Sequence, residues 1–208
     1  EAMIAAFKNG EDIHAATAAK IFNVPLAEVT REQRGNAKTV NFGIIYGVSA
    51  FGLSQQSNLS RTEAKDVIDS YFNTYPGIRN YIDSQQQFAR EHGYVQTIMG
   101  RRRYLKDINS GNAVIRGAAE RNAINAPIQG SAADVIKIAM INIHKKMHEQ
   151  HFKSKMVLQV HDELVFDTLK TEADSLEKLV VEEMQNAVSL EVPLLVEAGR
   201  GENWLEAH

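Results

Sequence analysis

The sequence predicts an α+β fold, a mostly helical first part followed by an antiparallel sheet backed by helices. Three observations carry this. Up to about residue 151, apolar residues recur at helical spacing between capping residues. From residue 152 the order becomes strand, hairpin, strand, helix, strand. Glycine and proline fall mainly at the joints.

Taken in order, residues 11–22 read as a helix, and Pro25 opens a short turn. Thr30 is placed to cap a helix over 31–46, which Gly47 ends as a C′ residue. Ser60 and Glu63 have the spacing of a capping box for a helix over 61–73. Pro76 opens a helix that runs to His92 and stops at Gly93. Residues 94–99 and 103–108 form a hairpin around Gly100. Helix follows from Gly111 to Ala126, is interrupted by Pro127, and resumes to His148. Two short buried strands then flank a turn within 155–168, followed by a helix over 171–189 and a strand over 194–198.

Within the helix over 31–46, Arg34, Lys38, Phe42 and Tyr46 are spaced four apart, which sets two cations and two rings in one stripe. Cations suit the phosphates of a nucleotide and a ring suits its base. The same spacing also suits an amphipathic helix with a solvated basic edge. Gly43 costs about 1 kcal/mol relative to alanine inside a helix, which points to a close approach to the backbone there.

In the hairpin, His161, Asp162 and Glu163 stand between two apolar runs. Adjacent carboxylates in such a place are costly unless paired, solvated or bound to a metal. Mg²⁺ takes oxygen ligands and shares them with substrate phosphates. Neighbouring strand residues point to opposite faces, so Asp162 is the main candidate ligand and Glu163 the lesser one. An exposed charged turn fits the same residues.

Charge is unevenly spread. Net charge is −3, yet residues 96–121 hold six basic and two acidic residues, and 162–191 hold nine acidic and two basic. One face is therefore suited to phosphates while another stays solvated. The segment GRRRYLKD at 100–107 also reads as a solvated basic turn. With 44% hydrophobic residues the 208-residue chain can bury a core. It has no cysteine, hence no disulfide and no zinc–thiolate site. No uninterrupted apolar stretch reaches the roughly 20 residues of a membrane span, and no signal peptide is visible.

Together, these segments resemble family A DNA polymerases. Arg34, Lys38, Phe42-Gly43 and Tyr46-Gly47 match the family's motif B, R-x3-K-x3-F-G-x2-Y-G; Gln159 to Glu163 match motif C, Q-V-H-D-E. Residues 118–137, with Arg121, Asn125 and Gln129 four apart, look like the family's long palm helices, and VPLLVEAGRGENWLEAH looks like its C-terminus. The resemblance covers essentially the whole chain and implies a fingers subdomain over 1–115 and the C-terminal part of the palm over 116–208. It implies template-directed DNA synthesis, in replication and repair, by a bacterial, cytoplasmic and nucleoid-associated enzyme. The implied partners are primer–template DNA, a deoxynucleoside triphosphate, and upstream thumb and palm segments, with no membrane. The implied cofactor is Mg²⁺, two ions in the intact enzyme, on Asp162 and Glu163. Arg34 and Lys38 would grip the triphosphate, and Lys38 would protonate the leaving pyrophosphate. Phe42 would pack on sugar and base, and Tyr46 would hold the template-base position. Arg121, Asn125, Gln129 and His161 would contact DNA.

The family carries another metal-binding aspartate in its motif A, and nothing in this sequence resembles that motif. The chain is expected to begin a short distance after it. Three other readings stand beside the first: a DNA- and nucleotide-binding module without turnover, a related single-subunit RNA polymerase, and a metal-dependent hydrolase using His161 and Asp162. Phe42 and Glu163 favour the DNA enzyme over the RNA one.

Overall fold

The computed structural model describes residues 1–207, the side chain of Ile45 excepted. Two compact units divide the chain, Glu1–Gln129 and Gly130–His208.

The first unit begins with α1 (Ala2–Lys8) and α2 (Ile13–Ile21), followed by a 3-10 turn, Leu26–Glu28. The Asp12 carboxylate caps α2 by accepting from the amides of His14 and Ala15. Next come α3 (Arg31–Ile45), α4 (Ala50–Gln56), α5 (Arg61–Thr74) and α6 (Pro76–His92). Thr30 with Gln33, and Ser60 with Glu63, form complete capping boxes at α3 and α5. Gly47 and Gly93 follow α3 and α6 with φ of +70° and +76°, a conformation glycine adopts without steric cost. Val40, Ile44, Leu53, Val67, Tyr71 and Tyr75 form one buried cluster. Inside this unit Thr17, Asn41 and Tyr75 join α2, α3 and the junction of α5 with α6 by buried hydrogen bonds, the Asn41 amide donating to Thr17 at 3.2 Å and the Thr17 and Tyr75 hydroxyls meeting at 3.2 Å.

Strands β1 (Tyr94–Gln96) and β2 (Arg102–Tyr104) pair antiparallel, with Gly100 at φ +78° in the connection. Val95 and Leu105 pack with Ala89, Ile108, Ala119 and Ala123 as a second cluster.

One helix, α7, spans Ala113–Glu149 with Pro127 inside it. The expected interruption at Pro127 is therefore corrected. Proline removes one backbone donor and crowds the preceding turn, but the Tyr81 hydroxyl donates to the Ile124 carbonyl at 2.9 Å and satisfies an acceptor in that turn.

In the second unit, β3 (Lys155–Val160) and β4 (Glu163–Asp167) form an antiparallel hairpin. Leu164 and Phe166 pack on Ala139, Ile143 and Met147 of α7 and on Leu176 and Leu179 of α8 (Ala173–Gln185). Glu172 anchors the start of the hairpin, accepting from the Ser154 amide at 2.9 Å and hydroxyl at 2.6 Å. A short helix, α9 (Trp204–Ala207), comes last. The strand expected over 194–198 does not form. A strand exists only through a hydrogen-bonded neighbour, and among the described residues β3 and β4 pair with each other alone. Arg200 instead ties this segment to α8, donating to Glu177 at 2.6 Å and to Asp174 at 2.8 Å. Among the described residues no helix is long and apolar enough to cross a membrane.

Candidate functional site

The stripe on α3 faces outward. Arg34, Lys38, Phe42 and Tyr46 are all exposed, while Ala37, Val40, Asn41 and Ile44 are buried against the first unit's core. Phe42 and Tyr46 are 49% and 50% exposed, which rules them out as core-filling rings. The periodicity of the helix produces this division, because positions four apart share a face.

A cleft of about 650 Å³ runs along the stripe, lined by Lys38, Phe42, Tyr46, Ser49, Gln56 and Arg121 among others. Arg121 comes from α7, more than seventy positions away in sequence, and reaches the stripe where Gly47 leaves room. A Cβ on Gly47 would stand 2.9 Å from Arg121 Cγ, and one on Gly43 would stand 2.7 Å from Val48 Cγ1. The close approach expected at Gly43 is thus that of Val48. Lys38 and Arg121 bring two cations to a cleft that also presents two rings, a setting for a phosphate joined to a planar base.

Sequence reasoning missed Asp12 and His14. Arg34 Nε donates to Asp12 Oδ2 at 2.7 Å. The His14 ring lies against Phe42 with centroids 5.7 Å apart, and its Nδ1 is 3.0 Å from Asn41 Nδ2. If the Asn41 amide donates, the ring is neutral with its proton on Nε2. Burial pushes the His14 pKa down, and the nearby charges of Arg34 and Lys38 add to this against the pull of Asp12. For Asp12, burial acts to raise the pKa. The hydrogen bond from Arg34 and those from the Ala15 and His14 amides outweigh it and hold the carboxyl below its ordinary range. The only sequence signal here was Asp12 as a helix cap, since its contact with Arg34 spans 22 positions.

Arg121, Asn125 and Gln129 share α7. Arg121 and Gln129 are exposed. Asn125 is partly covered, and its Oδ1 is buried with no hydrogen-bond partner among the described residues. Such an acceptor costs about 1–3 kcal/mol until a donor reaches it.

His161 and Asp162 form the two-residue turn between β3 and β4, and Val160 pairs with Glu163 across it. His161 is in the left-handed region at φ +54°, and its carbonyl accepts from Gln159 Nε2 at 3.0 Å, which braces the turn. Asp162 is exposed and Glu163 half-buried at the start of β4, so the two carboxylates have different surroundings. Among the described residues no group of three or more His, Asp or Glu is arranged to hold a metal. Two hard oxygen donors at an open turn nevertheless fit Mg²⁺, which binds one or two carboxylates and takes its other ligands from water and substrate phosphates. The stripe and cleft lie in the first unit and this turn in the second.

Comparison with known proteins agrees with the family resemblance. A model of DNA polymerase family A matches residues 1–206. DNA polymerase I of Caldicellulosiruptor bescii is 51% identical over 206 residues, 99% of this chain and 24% of that protein. DNA polymerase I of Streptococcus pneumoniae is 50% identical over the whole chain and 24% of its own length. The chain thus spans about a quarter of the length of the curated relatives it matches. Among solved structures, the POL domain of Pol1 from M. smegmatis, in complex with DNA primer-template and dNTP, superposes with a TM-score of 0.94 at 47% identity, covering 99% of this chain and 36% of that one. With the motif B stripe on α3, the motif C turn between β3 and β4, and a match along nearly its whole length, the chain belongs to DNA polymerase family A.

Proposed function

We propose that this chain is the fingers and C-terminal palm part of a DNA polymerase that transfers a deoxynucleotide from its triphosphate to a primer 3′-hydroxyl under template direction. In this reading the fingers cover 1–115 and the palm part 116–208. The observation that carries it is the exposed Arg34–Lys38–Phe42–Tyr46 stripe, whose Lys38, Phe42 and Tyr46 line one cleft with Arg121. Family membership and the likeness to a polymerase domain holding primer-template and dNTP support it.

The primer hydroxyl attacks the α-phosphate and pyrophosphate leaves. Protein groups serve mainly to position the reactants and to meet developing negative charge. Arg34 and Lys38 bind the triphosphate, and Lys38 donates a proton to the departing pyrophosphate. Phe42 packs on the sugar and base. Tyr46 holds the template-base position until a nucleotide enters. Arg121, Asn125 and Gln129 contact primer–template, mostly through the minor groove, and His161 contacts DNA beside the turn. Asp162, with Glu163 as the lesser ligand, would hold Mg²⁺. When bound, two such ions lower the pKa of the attacking hydroxyl and neutralise the triphosphate. The working place of such an enzyme is the bacterial cytoplasm, at the nucleoid.

For the 208 residues by themselves we infer binding without turnover, because Asp162 and Glu163 make an incomplete ligand set. In this proposal upstream palm residues complete it. Primer extension with Mg²⁺ tests both statements. The polypeptide joined to its upstream palm and thumb segments extends the primer, and the isolated chain binds DNA or nucleotide weakly without extending it. Robust extension by the isolated chain would mean that the metal site is misassigned. Failure of the joined polypeptide removes the polymerase reading.

A further inference from the structure

A second aromatic and basic surface lies away from the cleft, and none of its residues lines that cleft. Phe88 and His92, one turn apart on α6, stack with ring centroids 4.1 Å apart and planes 14° apart. Tyr94 at the start of β1 meets Phe88 edge-on at 5.6 Å and His92 at 6.1 Å. Tyr94 and Tyr104 are directly opposed across the β1–β2 ladder, with centroids 5.8 Å apart. The Arg102 guanidinium lies 4.5 Å from the centre of the Tyr94 ring.

Packing does not account for this row. Strand alternation sends Val95 into the core, where it is wholly buried, and puts Tyr94 and Gln96 on the other side. Tyr104 is 67% exposed, and Ile98 and Met99 at the hairpin tip are exposed with it. Arg102, Arg103 and Lys106 form no ion pair among the described residues. Nearby acids are few. Glu120 is engaged by Arg90 at 2.9 Å and by Arg116 at 3.7 Å, leaving Asp107 and Glu91. A row of partly wet rings flanked by cations matches bases and phosphates presented alternately. Only an unpaired strand exposes base faces for stacking.

We propose that the outer face of the β1–β2 hairpin, with the end of α6, binds single-stranded DNA, bases stacking on Tyr104 and Tyr94 and phosphates meeting Arg102 and Arg103. This surface needs no turnover, so it stands or falls separately from the nucleotidyl-transfer reading.

The test uses the 208-residue chain and a fluorescein-labelled oligothymidylate, followed by anisotropy across a salt series. Tyr104→Ala is expected to weaken binding about tenfold, in line with one lost base stack. Tyr104→Phe, which keeps the ring, retains the affinity. Arg102→Gln lowers the slope of log affinity against log salt by about one. An oligonucleotide carrying 5-iododeoxyuridine is expected to photo-crosslink to the peptides holding Tyr94 and Tyr104. Thermal melting monitored by circular dichroism checks folding. Should Tyr104→Ala melt early, Arg102→Gln and the crosslink decide the matter. Wild-type affinity in a folded Tyr104→Ala chain, crosslinks elsewhere, or equal displacement of the probe by blunt duplex or by polyglutamate overturns the proposal.

Discussion

Arg34 Nε donates to Asp12 Oδ2 at 2.7 Å, while the other oxygen of the same carboxylate caps α2. One side chain therefore starts one helix and holds the first cation of the stripe on another. Both partners are about two-fifths exposed, so the ion pair itself contributes no more than about 1 kcal/mol. Asp12→Asn keeps a capping oxygen but loses the charge and the oxygen that accepts from Arg34. Asp12→Ala loses the capping oxygen as well and is expected to cost about 1 kcal/mol more. Thermal unfolding of the two variants separates the effects, and equal losses would assign the stabilisation to the ion pair.

His14 sets a pH dependence. Its pKa is depressed in the folded chain from an ordinary 6.5, first by burial and then by Arg34 and Lys38. Between the folded value and 6.5 the unfolded chain binds more protons, so stability rises with pH there. The contribution is complete above about 6.5 and is lost as pH falls through the folded pKa. The Asp12 contribution, also from a depressed pKa, is lost only further down, below its ordinary 3.8. Melting temperature is thus expected to drop from pH 7 to 5 in the wild type and to drop less in His14→Gln. Parallel curves would remove His14 as the cause.

Asp162 and Glu163 are adjacent but differ in surroundings, one exposed in the turn and one half-buried in β4. In the parent polymerase, Asp162→Ala is expected to abolish extension, by orders of magnitude in rate, with primer–template affinity nearly unchanged. Glu163→Ala is expected to do less harm. Single-turnover extension combined with DNA binding measures both. A worse defect in Glu163→Ala reverses the assigned roles.

Lys38 and Arg121 share the cleft but belong to different helices. Lys38→Ala is expected to raise the nucleotide KM and lower kcat together, because a cation on the triphosphate acts in binding and in the transition state. Arg121→Ala is expected to weaken primer–template binding most at low salt, the deficit against wild type shrinking as salt rises. An unchanged nucleotide KM in Lys38→Ala takes that residue out of the site.

Phe42 is half exposed beside His14, so an added hydroxyl would not be forced into a core. Phe42→Tyr in the parent enzyme is expected to improve dideoxynucleotide use sharply, with deoxynucleotides little affected. The reason is that the new hydroxyl stands in for the missing 3′-hydroxyl. The ratio of kcat/KM for the two substrates reads this directly. A constant ratio with a lowered Tm would return Phe42 to a packing role.

The sequence by itself determined the features set by neighbours along the chain. Both capping boxes, the stops at Gly47 and Gly93, the stripe on α3 and the tight turn at His161 and Asp162 depend on spacings of a few residues, which a helix or hairpin converts directly into position. Long, ordered motifs carried the family. Tertiary structure decided the rest. Pro127 stays inside α7, where the Tyr81 hydroxyl, from 43 positions before Ile124, donates to the Ile124 carbonyl. The segment over 194–198 lacks a strand neighbour and is held by Arg200 instead. The Tyr75–Thr17–Asn41 network and the Arg34–Asp12 pair join residues 22 to 58 positions apart. No local pattern marks such partners, because the free energy of a polar contact depends on burial and on which helices pack together, and these are properties of the assembled core.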